Sequence, residues 1–280
     1  MEKNQISALI NLLDDPDPIV YNAIFEKIIC YDENIIPVLK TAADSNKTPL
    51  FADRSEKIIT IIRKRSLDEE FKKWITEKDN DLIYGAYIIA KYHYPEITFK
   101  ELDNNLSSIV QDLHQEMNYY LTGLQQIRKI NHVLFDIYRF TGDFSNIIDP
   151  RNSFVNKVIE RKKSNDISLA ILYIHIAQKL GLPVYGIDFP GNFLLAFVDD
   201  KTKEAIFFIN PFNKGTIVTR RDIDNFMKNH KIIYRANYFE LCSNNAIIKR
   251  LLKFLMQSYL QKNDRENVKE IKRILLFFET

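Results

Sequence analysis

NDISLAILYIHIAQKLGLPVYGIDFPGNFLLAFV, residues 165–198, followed by FFINPFN, residues 207–213, decides the fold. Asn165 and Asp166 are helix-starting residues, a mostly apolar run follows, and Gly181 stops it. This predicts a buried helix from about Asp166 to Gly181. Ala170, Ile171, Ile174, Ala177 and Leu180 recur at spacings of three and four, which places them on one buried face. Strands are expected near 183–189, 192–199 and 204–209, with Pro190-Gly191 as one turn and Asn210-Pro211 closing the last. Strands joined by turns this short pair antiparallel, because parallel pairing needs a crossover of about a dozen residues or more.

Glycine usage extends the map in both directions. Gly85 and Gly123 are alone before residue 142, five glycines fall from Gly142 to Gly215, and none follows. Glycine serves turns and tight connections, so the β structure belongs in the middle and both ends are helical. Leu9, Ile10, Leu12 and Leu13 form an apolar face, Asp14-Asp15-Pro16-Asp17-Pro18 is a stop and restart, and Val20, Ile24, Phe25, Ile28 and Ile29 resume the helical period. That hairpin is HEAT-like. Further helices are predicted over 34–43, 51–64, 67–76, 81–93, 99–115 and 117–138, and over 152–163 with Asn152 or Ser153 as N-cap. A short helix is led by Thr219 and Asp222, which suit a capping box. From about Asn244, Leu251, Leu252, Phe254, Leu255, Tyr259 and Leu260 suit a hairpin with Val268, Ile271, Ile274 and Leu275 across Lys262-Asn263-Asp264. The predicted class is α+β: a helical N-terminal domain over 1–140, a core over 141–240 made of a small antiparallel sheet and a central helix, and a C-terminal helical hairpin over 241–280.

Composition excludes several function classes. The 280 residues are 46% hydrophobic and 27% charged, with 19 Phe and 14 Tyr, as in a well-packed globule. The net charge of +2, without clustering, predicts neither a nucleic-acid nor a membrane partner. No apolar run approaches a membrane span, and MEKNQISALINLLDD lacks the features of a signal peptide, so the expected location is cytoplasmic. The five histidines show no metal-binding spacing, and no metal or cofactor is expected. Cys30 ends an apolar helical run and reads as a small core residue, whereas Cys242, just before Ser243-Asn244, reads as a structural or partly exposed thiol. Arg161-Lys162-Lys163 reads as a solvated cluster at a helix C-terminus, with contact to an anionic ligand or partner segment as the sharper reading.

The order of helix, turn, strands and NP turn, with Asn131-His132-Val133-Leu134-Phe135 and the NS…V…ER helix from Asn152 to Lys163, resembles the transglutaminase-like superfamily in its bacterial SirB-type branch. The resemblance covers nearly the whole chain and is strongest from about 130 to 215. It implies a papain- or transglutaminase-like core behind a helical domain. Active members of the family carry a Cys at the helix N-terminus, a His after the PG turn and an Asp before the last Pro. Those positions fall here on Asp166, Asn192 and Asn210. The glycine that follows the basic pair in the family is Ser164.

Thiol catalysis needs a thiolate, an imidazole to take its proton and a third group to hold the imidazole. Asp166 is a poor nucleophile toward an amide, reads as a helix cap, and is less readily a ligand contact or a nucleophile. Asn192 cannot act as a general base. The expectation is therefore a vestigial triad with no catalytic residue, in a cleft where Asn165, Asp166, Ser168, Asn192, Asn210 and Asn213 are the candidate ligand-binding residues. The favoured function is a non-catalytic protein that binds a protein or peptide segment. The alternatives are a cysteine-hydrolase or acyl-transfer enzyme with unorthodox residues, and a structural or assembly protein with an idle cleft.

Overall fold

The computed structural model describes residues 2–45, 48–118 and 120–279. The chain divides into two compact units, 1–73 and 74–280. Residues 74–140, which the sequence pattern groups with the N-terminal helices, belong to the second.

The first unit contains α1 (Glu2–Asn11), α2 (Pro18–Ile28), α3 (Ile36–Ser45) and most of α4 (Pro49–Thr76). Asp17 starts α2 by accepting the Ile19 N–H at 2.8 Å, with Pro18 in the first turn, where its missing N–H costs nothing. Ile10, Leu13, Ile24, Ile28, Leu39, Phe51, Ile58 and Ile62 build the core. Leu12 is exposed, on the outer side of the first hairpin. Arg54 donates to the Leu13 and Asp15 carbonyls, both at 2.7 Å, supplying donors to helix-end carbonyls that have no partner within the helix. Two helices were predicted over 51–76, and one is found. Arg65-Ser66 contains neither Gly nor Pro, so nothing there breaks the hydrogen-bond ladder. Cys30 is exposed, not in the core; its thiol donates to the Glu26 carbonyl at 3.2 Å on the outer side of the α2 terminus.

In the second unit α5 (Leu82–His93), α6 (Phe99–Glu116) and α7 (Gly123–Asn131) precede the β region. Thr122 and Gln125 cap α7 reciprocally, and a π-helical turn follows over His132–Ile137. The helix predicted over 117–138 thus begins six residues late, at the capping box; Tyr119 lies outside the described residues. Next come β1 (Thr141–Gly142), α8 (Val155–Arg161), β2 (Lys163–Ser164), α9 (Asp166–Lys179), β3 (Val184–Phe189), β4 (Asn192–Val198), β5 (Ala205–Asn210) and β6 (Thr216–Val218). Strands β3 to β6 form one antiparallel sheet in sequence order, with Gly186 opposite Leu195, Leu195 opposite Ile209, and Ile209 opposite Ile217. β1 and β2 form a separate two-residue parallel pair, joined through α8 as a parallel crossover requires.

α10 (Arg220–Asn229), α11 (Asn244–Gln261) and α12 (Arg265–Leu275) complete the unit. Thr219 and Asp222 make the expected capping box, and Ser243 caps α11 by accepting the Ala246 N–H at 3.2 Å. Leu251, Leu252, Leu255 and Tyr259 are buried with Val268, Ile271 and Ile274, but Leu260 faces outward. The start of α11 is tied back by asparagines: Asn244 donates to the Asn80 carbonyl at 2.7 Å, and Asn245 to the Ile75 carbonyl at 2.9 Å.

The central helix α9 is buried on every side from Ile167 to Ala177. One face had been expected. The reason for the difference is that β3 and β4 pack on one side while α5, α6 and α11 cover the others. Leu180 is half-buried at the C-cap rather than in the face. Ile174→Lys places an unpaired charge in this core and is expected to cost about 3–5 kcal/mol. Urea unfolding followed by circular dichroism measures it, and an unchanged midpoint contradicts the packing.

Candidate functional site

The polar residues before α9 decide where its N-terminus lies. Asn152 is fully buried and donates through Nδ2 to Asp143 at 3.2 Å and to the Asn146 carbonyl at 2.8 Å. Its Oδ1 accepts from Arg161 Nη1 at 3.0 Å, and its own carbonyl accepts from the Ser164 hydroxyl at 3.3 Å and the Asn165 N–H at 3.5 Å. Asn165, also fully buried, donates to the Ser153 hydroxyl at 2.9 Å and accepts the Ser168 N–H at 2.8 Å. A buried carboxamide left unpaired is costly, so each amide is held by partners at both ends. Asp143 and Asp149 lie in the same knot. Burial pushes both carboxyls up, but hydrogen bonds outweigh it and hold both below the usual carboxylate range, from Ser145, Asn152 and the Asn146 N–H on Asp143, and from Arg151 on Asp149.

Three sequence expectations change here. The cap of α9 is Asn165, with Asp166 the first helical residue. Neither Asn152 nor Ser153 caps α8: Pro150–Ser153 is a 3-10 turn capped by Asp149, and Asn152 is occupied inside the knot. The basic cluster splits, because Arg161 points inward, 3.7 Å from both Asp143 and Asp149, while Lys162 takes a left-handed turn with its ammonium 4.3 Å over the Phe140 ring. Arg161 is thus neither solvated nor free for an anionic ligand.

Asp166 reaches from the helix to the sheet. One carboxylate oxygen accepts the Phe193 N–H at 2.8 Å and the other the Ile167 N–H at 3.0 Å. Burial raises its pKa; the bonds from Phe193 and Ile167 and the charge of Arg250 oppose the rise. Arg250, on α11, lies 3.4 Å from Asp188 on β3. Asn192 immediately precedes Phe193, so the Asp166 bond brings Asp166 and Asn192 to the same end of β4. Among the described residues the Asn192 side chain makes no hydrogen bond. Ser168 is buried, and among the described residues its hydroxyl has no partner.

Asn210 ends β5 and caps the turn Pro211–Asn213, accepting the Asn213 N–H at 3.2 Å. The turn packs against α9. Tyr173 of α9 donates to Asn131 Oδ1 at 2.8 Å, and Asn131 Nδ2 donates to the Gly215 carbonyl at 2.7 Å. Gly215 has φ +67°, and a side chain there would collide with Asn131, so glycine is required on both counts. Asn213 is exposed at the tip. Both the Asp166 end and the Asn210 turn are therefore anchored to α9, although among the described residues no hydrogen bond joins the Asp166, Asn192 and Asn210 side chains to one another.

Cys242 sits on the outer edge of β3, its N–H donating to the Gly186 carbonyl at 2.8 Å. Burial pushes its thiol up to about 11, so it is protonated near neutral pH. His175, mid-way along α9, has its pKa lowered by burial. Among the described residues no group of three or more His, Cys, Asp or Glu is arranged to hold a metal ion, and no helix is long and apolar enough to cross a membrane.

Residues 100–253 match the family described as the transglutaminase-like superfamily. The chain belongs to that superfamily. A UPF0162 protein of Xylella fastidiosa (strain 9a5c) is 33% identical over 150 residues, 53% of this chain and 52% of that protein. Protein SirB1 of Salmonella typhimurium is 22% identical over 179 residues, 62% of this chain and 65% of that protein, in keeping with the SirB-type branch. F-box only protein 21 of Mus musculus is 21% identical over 276 residues, covering 88% of this chain and 43% of its own. The chain spans about half the length of the first curated relatives it matches. No solved structure matches.

Within this transglutaminase-like core, the residues that sequence reading missed are Asp143, Asp149, Asn131, Tyr173 and Arg250. Asp143-Phe144-Ser145-Asn146 carries an Asx-turn signal that pointed to Asp143 as an anchor. Asn165→Ala removes the cap, which typically costs ~1 kcal/mol. Asn152→Ala removes one partner each from Arg161, Asp143 and the Asn146 carbonyl inside a buried knot, and about 2–3 kcal/mol is expected. Denaturant titration of the two variants checks that order. Asp166 supplies a pH test. Its folded pKa lies above the unfolded value, so the linked stability is present at low pH and is lost as pH rises through the folded pKa. Asp166→Asn lacks this titration. Relative to the parent it is expected to be more stable at about pH 7 than at about pH 4.5, a range that spans the carboxylate region; the reverse trend contradicts the burial.

Proposed function

We propose that this chain is a non-catalytic member of its superfamily that binds a peptide or protein segment in the cleft where active members carry out chemistry. The observation that carries this reading is the carboxylate of Asp166 at the cysteine position, with one oxygen on the Phe193 N–H and the other on the Ile167 N–H. A carboxylate engaged in this way is a weak nucleophile, and Asn192 beside it offers an amide in place of a base. The protonated Cys242 thiol does not favour a displaced nucleophile.

Binding is favoured by what surrounds the turn after β5. Phe144, 69% exposed, packs on Phe212 with ring centroids 4.6 Å apart, presenting an aromatic anchor next to Asn210-Pro211. The carboxamide of Asn192, without a protein partner among the described residues, is able both to donate to and to accept from a peptide amide. The anchoring of both ends to α9 supports a cleft that is pre-organised, which lowers the ordering cost of binding.

A random peptide library incubated with the protein and read by mass spectrometry tests the proposal. Captured peptides with unchanged masses are expected, with capture reduced by roughly tenfold or more in Asn192→Trp and Phe144→Ser, a loss typical of an interface anchor. Cleavage products that disappear in Asp166→Ala would establish a hydrolase instead. A library left uncaptured would favour the idle-cleft, structural alternative.

A further inference from the structure

Charge is unevenly spread along the chain. Of its 39 basic and 37 acidic residues, eight basic and four acidic lie in residues 244–280, so the α11–α12 hairpin alone exceeds the net +2 of the whole chain. The whole-chain charge hides this clustering. Two hollows, of about 270 and about 540 Å³, lie along the outer face of the hairpin and share Lys269 and Lys272 as a common wall. Neither is lined by Asp166, Asn192 or Asn210, so what binds there is independent of the cleft reading.

The helical period explains the arrangement. Val268, Ile271 and Ile274 turn one side of α12 into the core. Arg265, Lys269 and Lys272 follow one another at spacings of four and three on a face that stays outside, and Leu276 continues that stripe, 57% exposed. Opposite it, α11 presents Leu260, 50% exposed. Apolar side chains thus line both hollows, Leu260 and Val268 in one, Met256, Leu275 and Leu276 in the other.

The two lysines between them are exposed, and among the described residues neither has a hydrogen bond, an ion pair or a ring contact. Neighbouring cations are engaged: Arg273 is bonded to Glu270 at 2.6 Å, and Lys249 lies 5.7 Å over the Phe278 ring. Asp264 and Glu279 are the acidic residues of the lining. Asp264 is committed to capping α12, accepting the Asn267 N–H at 3.1 Å and the Asn267 side-chain amide at 2.8 Å.

We propose that this face docks an acidic peptide segment of a partner protein, with its apolar side chains in the two hollows and its carboxylates on Lys269 and Lys272. Arg265–Leu275 rises about 15 Å, so a segment of about three helical turns covers it. The hairpin's excess charge attracts such a segment and rejects basic ones. A purely polar anion leaves the leucines in water, and a purely apolar segment buries ammonium groups without partners, which is costly. The concave hollows suit single side chains rather than a lipid surface.

Fluorescence polarisation with the full chain tests the assignment, using labelled acetyl-EELLEELLEELL-amide, a version with glutamine for every glutamate, and one with serine for every leucine. The first is expected to bind about tenfold or more tighter than either control, as when interface anchors are removed. The Lys269→Glu/Lys272→Glu double variant, changed only at exposed positions, is expected to lose a similar factor while keeping its thermal midpoint. Should it fail to fold, Leu260→Ser/Leu276→Ser takes its place with the same expected loss. Equal binding of the glutamine peptide, equal binding of the serine peptide, unchanged affinity in the variant, or no binding of the acidic peptide overturns the proposal. Two further outcomes overturn it as well. Capture of the protein by phosphatidylserine vesicles without peptide binding assigns the face to a membrane, and a dimer dissolved by the double variant assigns it to a second copy of the chain.

Discussion

The buried carboxamide of Asn152 is the constraint on which the rest of the second unit depends. It gathers the loop from Asp143 to Asn146 and the α8 residue Arg161, while the backbone carbonyl of the same residue holds the segment Ser164-Asn165. Each contact satisfies a group that would otherwise lose its water without replacement. The consequence is positional: Asn165 is delivered to the first turn of α9 with its own carboxamide fixed, and Asp166 follows at the place where the helix meets β4. A helix buried on all sides has its N-terminal N–H groups far from bulk water, so a cap held in this way is needed for the helix to start there at all.

The second anchor works from the middle of the same helix. Tyr173, wholly buried, holds Asn131, and Asn131 holds the Gly215 carbonyl, which fixes the turn after Asn210. The helix N-terminus and the turn after β5 are thereby held by residues outside the set Asp166, Asn192 and Asn210. On the proposed reading, Asp166, Asn192 and Asn210 stand where active members carry cysteine, histidine and aspartate, and the groups that hold these positions are separate from them. That separation makes the proposed binding role physically coherent: what the supports present is polar, with Phe144 and Phe212 beside it.

Much of this was legible in the sequence because local signals agreed with the tertiary solution. Gly181, Pro190-Gly191 and Asn210-Pro211 mark ends that packing then respected, and Thr219, Asp222 and Ser243 are caps where their spacing said so. Failures came where long-range contact outweighed local pattern. The α9 helix shows three- and four-residue spacing, but the wrapping of α5, α6 and α11 around it is a non-local event that periodicity cannot report. Arg161 looks like the end of a solvated cluster because a sequence does not reveal that Asp143, eighteen positions earlier, folds back to meet it. Cys30 reads as core by composition, yet it falls after the last buried turn of α2. At the site, the bond between Asp166 and the Phe193 N–H needed the sheet to be placed against the helix, which no local signal reports.

Amide-resolved NMR of the full chain, titrated with peptides recovered from the library, measures the central claim directly. The account predicts the largest saturable shifts at Phe193 and along Asn210 to Gly215, with peptide masses unchanged throughout. Shifts confined to other surfaces, or peptide cleavage during the titration, would contradict it.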